Sequence, residues 1–252
     1  MIAAIDPRDY EPPASLLDAR VILITGSSDG LGRALAVACA ALGATVVLHG
    51  RRVHKLEEVY DAIVNAGGPR PAIAPLDFEK AGPDEYGALV DALASQFGRL
   101  DGLVHNAGML GDRSPVEHHD VAKWLRTMHV NTNAPFILTK HCLPLLKKSQ
   151  DASIIFTSSG VVDRARAYWG GYLVSKWAIE GLCMMLADEL DSEPSIRVNS
   201  VNPGRMRTTM RMQAYPAEDR SALPEPSAVT APFLYLLGGD SRGVTGRRIR
   251  CQ

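Results

Sequence analysis

Tyr172 and Lys176 stand four residues apart at the start of an apolar-periodic segment, 172–190, so on a helix they share one face, a turn apart. That geometry suits proton transfer. A free phenol has a pKa of about 10, too high for a base at neutral pH, and a neighbouring ammonium favours the phenolate and lowers it. Ser159, thirteen residues earlier, follows the apolar run ending Ile155-Phe156-Thr157. It falls at the sheet edge where doubly wound folds bind ligands, and a hydroxyl there can hold a carbonyl oxygen. On its own, a Tyr–Lys pair at this spacing is also what surface helices carry.

A second constellation lies near the start. The run Val21 to Ile24 leads into Thr25-Gly26-Ser27-Ser28-Asp29-Gly30-Leu31-Gly32 and then into a good helix former beginning at Arg33. A phosphate wants this arrangement: glycines let the backbone turn tightly and come close, and the helix start supplies free N–H groups and positive dipole. Three glycines in eight residues are a weak signal alone, and their place between a strand and a helix strengthens it. The residues facing the phosphates would be Gly26, Ser28, Asp29, Gly30, Leu31 and Gly32. After the run Thr45 to Leu48 come His49-Gly50-Arg51-Arg52, with no acid to hold a ribose diol. An arginine at this point accommodates the 2′-phosphate of NADP(H), which favours Arg51 in that role; Arg52 reads as the solvated start of a helix.

These residues need a frame. Short apolar, β-branched runs at Val21 to Ile24, Thr45 to Leu48, Gly102 to Val104, Ser153 to Phe156 and Ile196 to Val201 read as buried strands. Between them lie helical spacings: Tyr86, Val90, Leu93, Phe97; Val121, Trp124, Leu125, Met128; and Ile179, Leu182, Cys183, Leu186. The alternation predicts an α/β fold, a doubly wound, Rossmann-type, mainly parallel sheet with helices on both faces. Residues 1–18 read as an N-terminal tail and 19–252 as a single domain. The stretch from Pro203 to Pro226 carries four prolines and little strand character; it is a candidate lid over about 204–226, with a plain surface excursion as the alternative.

Composition bounds the function. With 252 residues, 46% hydrophobic, and 27 Lys and Arg against 28 Asp and Glu, the chain is an ordinary globular protein of net charge −1. Nothing in that balance suggests a nucleic-acid or membrane-surface binder. Cys39, Cys142, Cys183 and Cys251 lie far apart, without the pairing of disulfide scaffolds or zinc sites. The start lacks a basic segment leading into an apolar run, so no signal peptide is expected, and the expected location is the cytoplasm. No metal is expected, because the seven histidines show no ligand spacing; His118 and His119 are adjacent and read as solvated. Ser114-Pro115-Val116-Glu117 fits a capping box, with Ser114 structural.

Taken together, TGSSDGLG at 25–32, Asp77, His105-Asn106-Ala107-Gly108, Asn131, Ser159, Tyr172-Leu-Val-Ser-Lys176 and Asn202-Pro203-Gly204 with Thr208 resemble, in order and spacing over about 18–249, the single-domain short-chain dehydrogenase/reductases. The GSSDGLGR turn, the HNAGMLGD segment and FTSSGVVDRARAYWGGYLVSKWAIEG are also similar to the YciK-like oxidoreductase branch. The resemblance implies that Tyr172 is the general acid/base, that Ser159 orients the substrate carbonyl, and that Lys176 binds the nicotinamide ribose and lowers the Tyr172 pKa. Asn131, at a distorted helix turn, would hold a water linking Lys176 to solvent. Asp77, with Phe78 beside it, would meet the adenine. Asn106, Ala107 and Gly108 would line the cofactor, and Pro203, Gly204 and Thr208 would wrap its carboxamide end. His105 stands where the family usually has Asn, and the end, Gly246 to Gln252, is shorter and more basic than usual.

The expectation is thus an NADP(H)-dependent carbonyl reductase or alcohol dehydrogenase acting on a small molecule, in a homodimer or homotetramer by analogy. A catalytically silent NADP(H)-binding sensor or scaffold is the alternative. The substrate stays open: Arg164, Arg166, Arg205, Arg207 and Arg211 could recognise a carboxylate or phosphate, or simply be solvated. Tyr168, Trp169, Met206, Met210 and Met212 would instead suit an apolar pocket.

Overall fold

The structure is a computed structural model and describes residues 6–252. Seven parallel strands form one sheet: β1 (Val21–Thr25), β2 (Thr45–Gly50), β3 (Ala72–Pro75), β4 (Gly102–His105), β5 (Ala152–Thr157), β6 (Ile196–Asn202) and β7 (Arg248–Arg250), in the order β3-β2-β1-β4-β5-β6-β7. Right-handed crossovers through helices are what parallel neighbours require. The expected doubly wound sheet is therefore observed. All five expected strands form, and β3 and β7 join them at the two edges. Neither edge strand is a buried β-branched run: β3 is Ala-Ile-Ala-Pro, with one β-branched residue and none fully buried, and β7 is Arg-Ile-Arg with both arginines exposed.

Helices cover both faces. On one lie α1 (Gly30–Ala41), α2 (Val53–Asn65) and α8 (Ala231–Leu237), burying Leu35, Leu56 and Phe233 against Ile22, Ile24 and Leu48. On the other lie α3 (Pro83–Phe97), α5 (Ala134–Leu146) and α6 (Gly170–Glu189), burying Tyr86, Leu138 and Ile179 against Leu23, Leu103 and Ile154. The short α4 (Val121–Met128) runs through a π-helical turn, His129–Asn133, into α5. The remaining helix, α7 (Thr209–Ala214), lies in the 204–226 segment, followed by single 3-10 turns at Arg220–Ala222 and Pro226–Val229. No helix of the described residues is long and apolar enough to cross a membrane.

Three expectations meet a different structure. Of the segment read as a tail, residues 1–5 lie outside the described residues, and residues 6–18 are anchored to the domain by two buried side chains. Tyr10 and Leu17 are buried, the Tyr10 hydroxyl donates to Asp240 at 2.7 Å, and its ring meets Tyr235 edge-on. Prolines and acids hide these anchors in the sequence, but burying a tyrosine ring outweighs their preference for solvent. Ser114 also caps no helix. Only a three-residue 3-10 turn, Val116–His118, follows it, too short to offer a capping box its third amide. Its hydroxyl instead meets His119 Nδ1 at 3.0 Å, and the His119 ring packs edge-on against Trp124, so His119 is partly buried while His118 is solvated.

Candidate active site

The strand order reverses between β1 and β4, and the crevice at that point opens outside the carboxyl ends of the strands. Thr25, the last residue of β1, ties its walls together. Its hydroxyl donates to the Val104 carbonyl and accepts from the amides of Asn106 and Ala107, both at 3.0 Å. Gly26 follows at φ +67°, with its α-carbon so near the β4 loop that a Cβ would lie 2.9 Å from Ala107 Cα. A Cβ on Gly32 would fall 2.5 Å from Asn106 Nδ2 and closer still to the Gly26 carbonyl oxygen. The first turn of α1 can therefore pack on the glycine turn only without side chains. Asp29 caps α1, its carboxylate accepting from the Gly30 amide at 2.8 Å. These are the features a diphosphate needs: a helix N-terminus and a backbone surface open to close approach.

At the outer end of the crevice, Arg51 follows β2 and pairs with Glu79, Nη1 to Oε1 at 2.6 Å, both at the surface. Asp77 accepts from the Glu79 amide, and Phe78 is buried between the rings of His49 and Tyr86. Arg52 also lines the cleft, rather than belonging only to solvent, because α2 begins after it, at Val53.

At the inner end, β5 delivers Ser159, and α6 delivers Tyr172 and Lys176, both buried. Lys176 Nζ donates to the Thr157 carbonyl at 2.7 Å and lies 5.7 Å from the centre of the Tyr172 ring. Burial brings the Lys176 ammonium down to about 8, with the Glu180 carboxylate holding it up. Burial likewise pushes the Tyr172 phenol above its ordinary value, with Ser159 acting the other way. Loss of hydration is thus the largest influence on the ring. Asn131 sits in the π-helical turn, where its Oδ1 accepts from the Met109 amide at 2.8 Å. Its Nδ2 donates to the Met109 carbonyl and to Ser175 Oγ. This side chain clamps the β4 loop to α6.

Beneath the floor lies Glu180, one turn beyond Lys176, a buried carboxylate that sequence reasoning missed. It accepts from the hydroxyls of Ser158 and Ser200, and Arg248 Nε of β7 lies 3.1 Å from it. Arg248 also reaches Asp163 at 2.9 Å and the Ser159 carbonyl at 3.4 Å, and Arg250 pairs with Asp163 at 2.8 Å. The basic C-terminus is therefore bound to the loop that carries Ser159. Nothing in spacing pairs 180 with 248; only the sheet brings them together.

One cavity of about 390 Å³ joins the two ends. Its walls include the expected residues from Gly26 to Leu31, with Ser27 excepted, together with Arg51, Asp77, Phe78, and Asn106 to Gly108. They also include Ser159, Tyr172, Lys176, Pro203, Gly204 and Thr208. Gly32 and Asn131 stand behind the wall, as packing elements. Of the arginines weighed for the substrate, only Arg211 reaches the cavity. Arg164 and Arg205 are exposed, Arg166 donates to the Tyr215 hydroxyl, and Arg207 pairs with Glu225 at 2.7 Å.

A doubly wound α/β sheet with a glycine turn at its switch point and Ser159, Tyr172 and Lys176 on the cleft floor defines a class of nucleotide-dependent fold. A family model for the short chain dehydrogenases matches residues 20–219, and the chain belongs to that family of oxidoreductases. It is 43% identical over 243 residues to the uncharacterized oxidoreductase YciK of Escherichia coli (strain K12), covering 96% of each chain. Among solved structures it is similar to a chain described as a short chain dehydrogenase from Pseudomonas syringae, with a TM-score of 0.95, 49% identity, and 97% and 99% of the two chains covered. It is also similar to one from Shigella flexneri 2a complexed with NADP, with a TM-score of 0.92, 42% identity, and 95% and 100% covered.

Proposed function

We propose that the protein moves a hydride between NADP(H) and a carbonyl or secondary alcohol, with Tyr172 as general acid/base. The observation that carries this reading is the single cavity running from Arg51 to Tyr172, with Ser159 and Lys176 on its inner floor. The similar chain from Shigella flexneri, described as complexed with NADP, supports the choice of dinucleotide. The cofactor, when bound, supplies or accepts the hydride.

The chain does the rest. The turn from Gly26 to Leu31 and the start of α1 hold the diphosphate. Asp77 and Phe78 border the adenine, and Arg51 exchanges part of its pairing with Glu79 for the 2′-phosphate. Asn106 to Gly108 line the dinucleotide along its length, Lys176 holds the nicotinamide ribose, and Pro203, Gly204 and Thr208 close on the carboxamide end. The Ser159 hydroxyl donates to the substrate oxygen and fixes it beside the Tyr172 hydroxyl. Burial keeps that phenol protonated, so it gives its proton to the oxygen as a carbonyl is reduced and recovers one as an alcohol is oxidised. The ammonium of Lys176, close beneath the ring, stabilises the phenolate at that moment. The 204–226 segment covers the inner end as a lid. The four free thiols fit a reducing cytoplasm. A complete Ser–Tyr–Lys set on the cleft floor argues against a silent binder.

Fluorescence titration with NADPH and NADH, followed by NADPH oxidation over a panel of ketones, aldehydes and quinones, tests the reading. Tight NADPH binding with turnover of a panel member is expected, and failure to bind either dinucleotide would overturn it.

A further inference from the structure

The inner half of the cleft shows which carbonyl compounds it takes. Resting on the hydride-transfer reading above, we infer that the substrate is an uncharged carbonyl compound on an apolar frame, and that Glu218 excludes carboxylates and phosphates by neutralising Arg211.

The walls around Tyr172 are apolar. Leu110, Trp169 and Ala214 form a buried cluster with Tyr172, and Met210 packs against it. Met206 and Met109 extend the same lining. Methionine adapts its shape to irregular hydrocarbon, and the Trp169 ring offers a flat apolar face.

The charges decide between a neutral and an anionic substrate. Arg51 and Arg52 belong to the cofactor end, and Lys176 is buried beneath Tyr172 with its ammonium on the Thr157 carbonyl. That leaves Arg211 as the cation of the inner end among the described residues lining the cavity. Its guanidinium is taken: Nε and Nη2 bind the two oxygens of Glu218 at 2.6 and 2.5 Å, and its plane lies 3.8 Å from the centre of the Tyr215 ring. A fork–fork pair of this kind satisfies the guanidinium edge that would otherwise grip a substrate carboxylate. Arg113, the next cation outward, donates to the Ala214 carbonyl and faces the rings of Trp169 and Tyr215, at 5.0 and 5.6 Å. It holds the wall together rather than facing the cavity. An anion entering here would lose its water and meet no free partner.

The test compares methyl 4-acetylbenzoate with 4-acetylbenzoate, which share a ketone and differ in charge. Binding of each to the protein loaded with NADP⁺ is measured by calorimetry, so the outcome does not depend on turnover. The NADP⁺ titration comes first; its failure would sink the hydride-transfer reading rather than this inference. With the dinucleotide bound, the ester is expected to bind at least about tenfold more tightly than the acid. In Glu218→Gln, which frees Arg211 while keeping the shape of its partner, the acid should gain most of that factor and the ester change little. Tighter or equal binding of the acid by the unmodified protein, binding of neither compound, or an unchanged preference in the variant would overturn the inference. Glu218→Asp, which keeps the charge, should retain the preference for the ester and so separates loss of charge from disturbance of the lid.

Discussion

At the cofactor end of the cleft, backbone meets backbone. Gly26 and Gly32 lie where a Cβ has no room, and the Thr25 hydroxyl binds one carbonyl and two amides across the crevice. At the substrate end, side chains meet side chains: Arg211 with Glu218, Arg207 with Glu225, and Arg113 with Trp169 and Tyr215. A site built from backbone tolerates no substitution and admits one shape of ligand. A site built from paired side chains on a lid can change its preference by a single exchange while the floor stays intact. On the proposed reading, cofactor recognition belongs to the turn and substrate choice to the 204–226 segment.

Acid should disturb the cofactor end first, and this is the largest effect expected. His49 on β2 and His105 on β4 are buried, and burial brings their imidazoles down to about 4 and about 3, from an ordinary value of 6.5. The unfolded chain then binds protons that the folded chain refuses. Their contribution is complete above pH 6.5 and is lost as pH falls toward 4, at about 1.4 kcal/mol per pH unit for each ring. Urea midpoints measured from pH 7 to pH 4.5 should fall steeply, and His105→Asn should flatten the slope. A flat profile in the unmodified protein would mean that the rings are not buried neutral.

Gly32→Ala comes next. The added Cβ has to displace Gly26 or Asn106, at a cost of about 2 to 3 kcal/mol, so NADPH binding should weaken on the order of a hundredfold. Unchanged affinity, with the fold verified by circular dichroism, would remove the backbone argument. Arg51→Ala should weaken NADPH about tenfold and NADH less than about twofold, the worth of one charge-assisted contact. Equal losses would take the 2′-phosphate away from Arg51. The smallest effect is expected in the lid: Arg207→Ala breaks a half-exposed pair with Glu225 and hydrogen bonds to the carbonyls of Arg220 and Leu223. It should raise KM by about two- to fivefold and leave NADPH affinity alone. A matching loss of NADPH affinity would join the two ends that the comparison separates.

The sequence showed the cofactor end more plainly than the substrate end, for a physical reason. A glycine turn between an apolar run and a helix former is a local pattern, as are Tyr172 and Lys176 on one helix face, and local patterns survive without the fold. The pairs that set the lid are choices among many arginines and many acids. Arg211 and Glu218 are seven residues apart with a helix end between them, and no periodicity marks them. Glu180 and Arg248 are separated by 68 positions and meet only because β6 lies beside β7. As patterns the edge strands are faint, because β3 is four residues with one β-branched side chain and β7 carries two exposed arginines, and the burial of Tyr10 escaped because its neighbours are prolines and acids.

The central claim is that Tyr172 moves the proton while the rest of the cleft holds the reactants. Its most direct test is a single-turnover measurement of NADPH oxidation, followed by absorbance, with a ketone that the unmodified protein reduces. In Tyr172→Phe the rate should drop by about a thousandfold or more, while NADPH affinity stays within about twofold. A variant that oxidises NADPH at a rate close to that of the unmodified protein would contradict the account and remove Tyr172 from the chemistry.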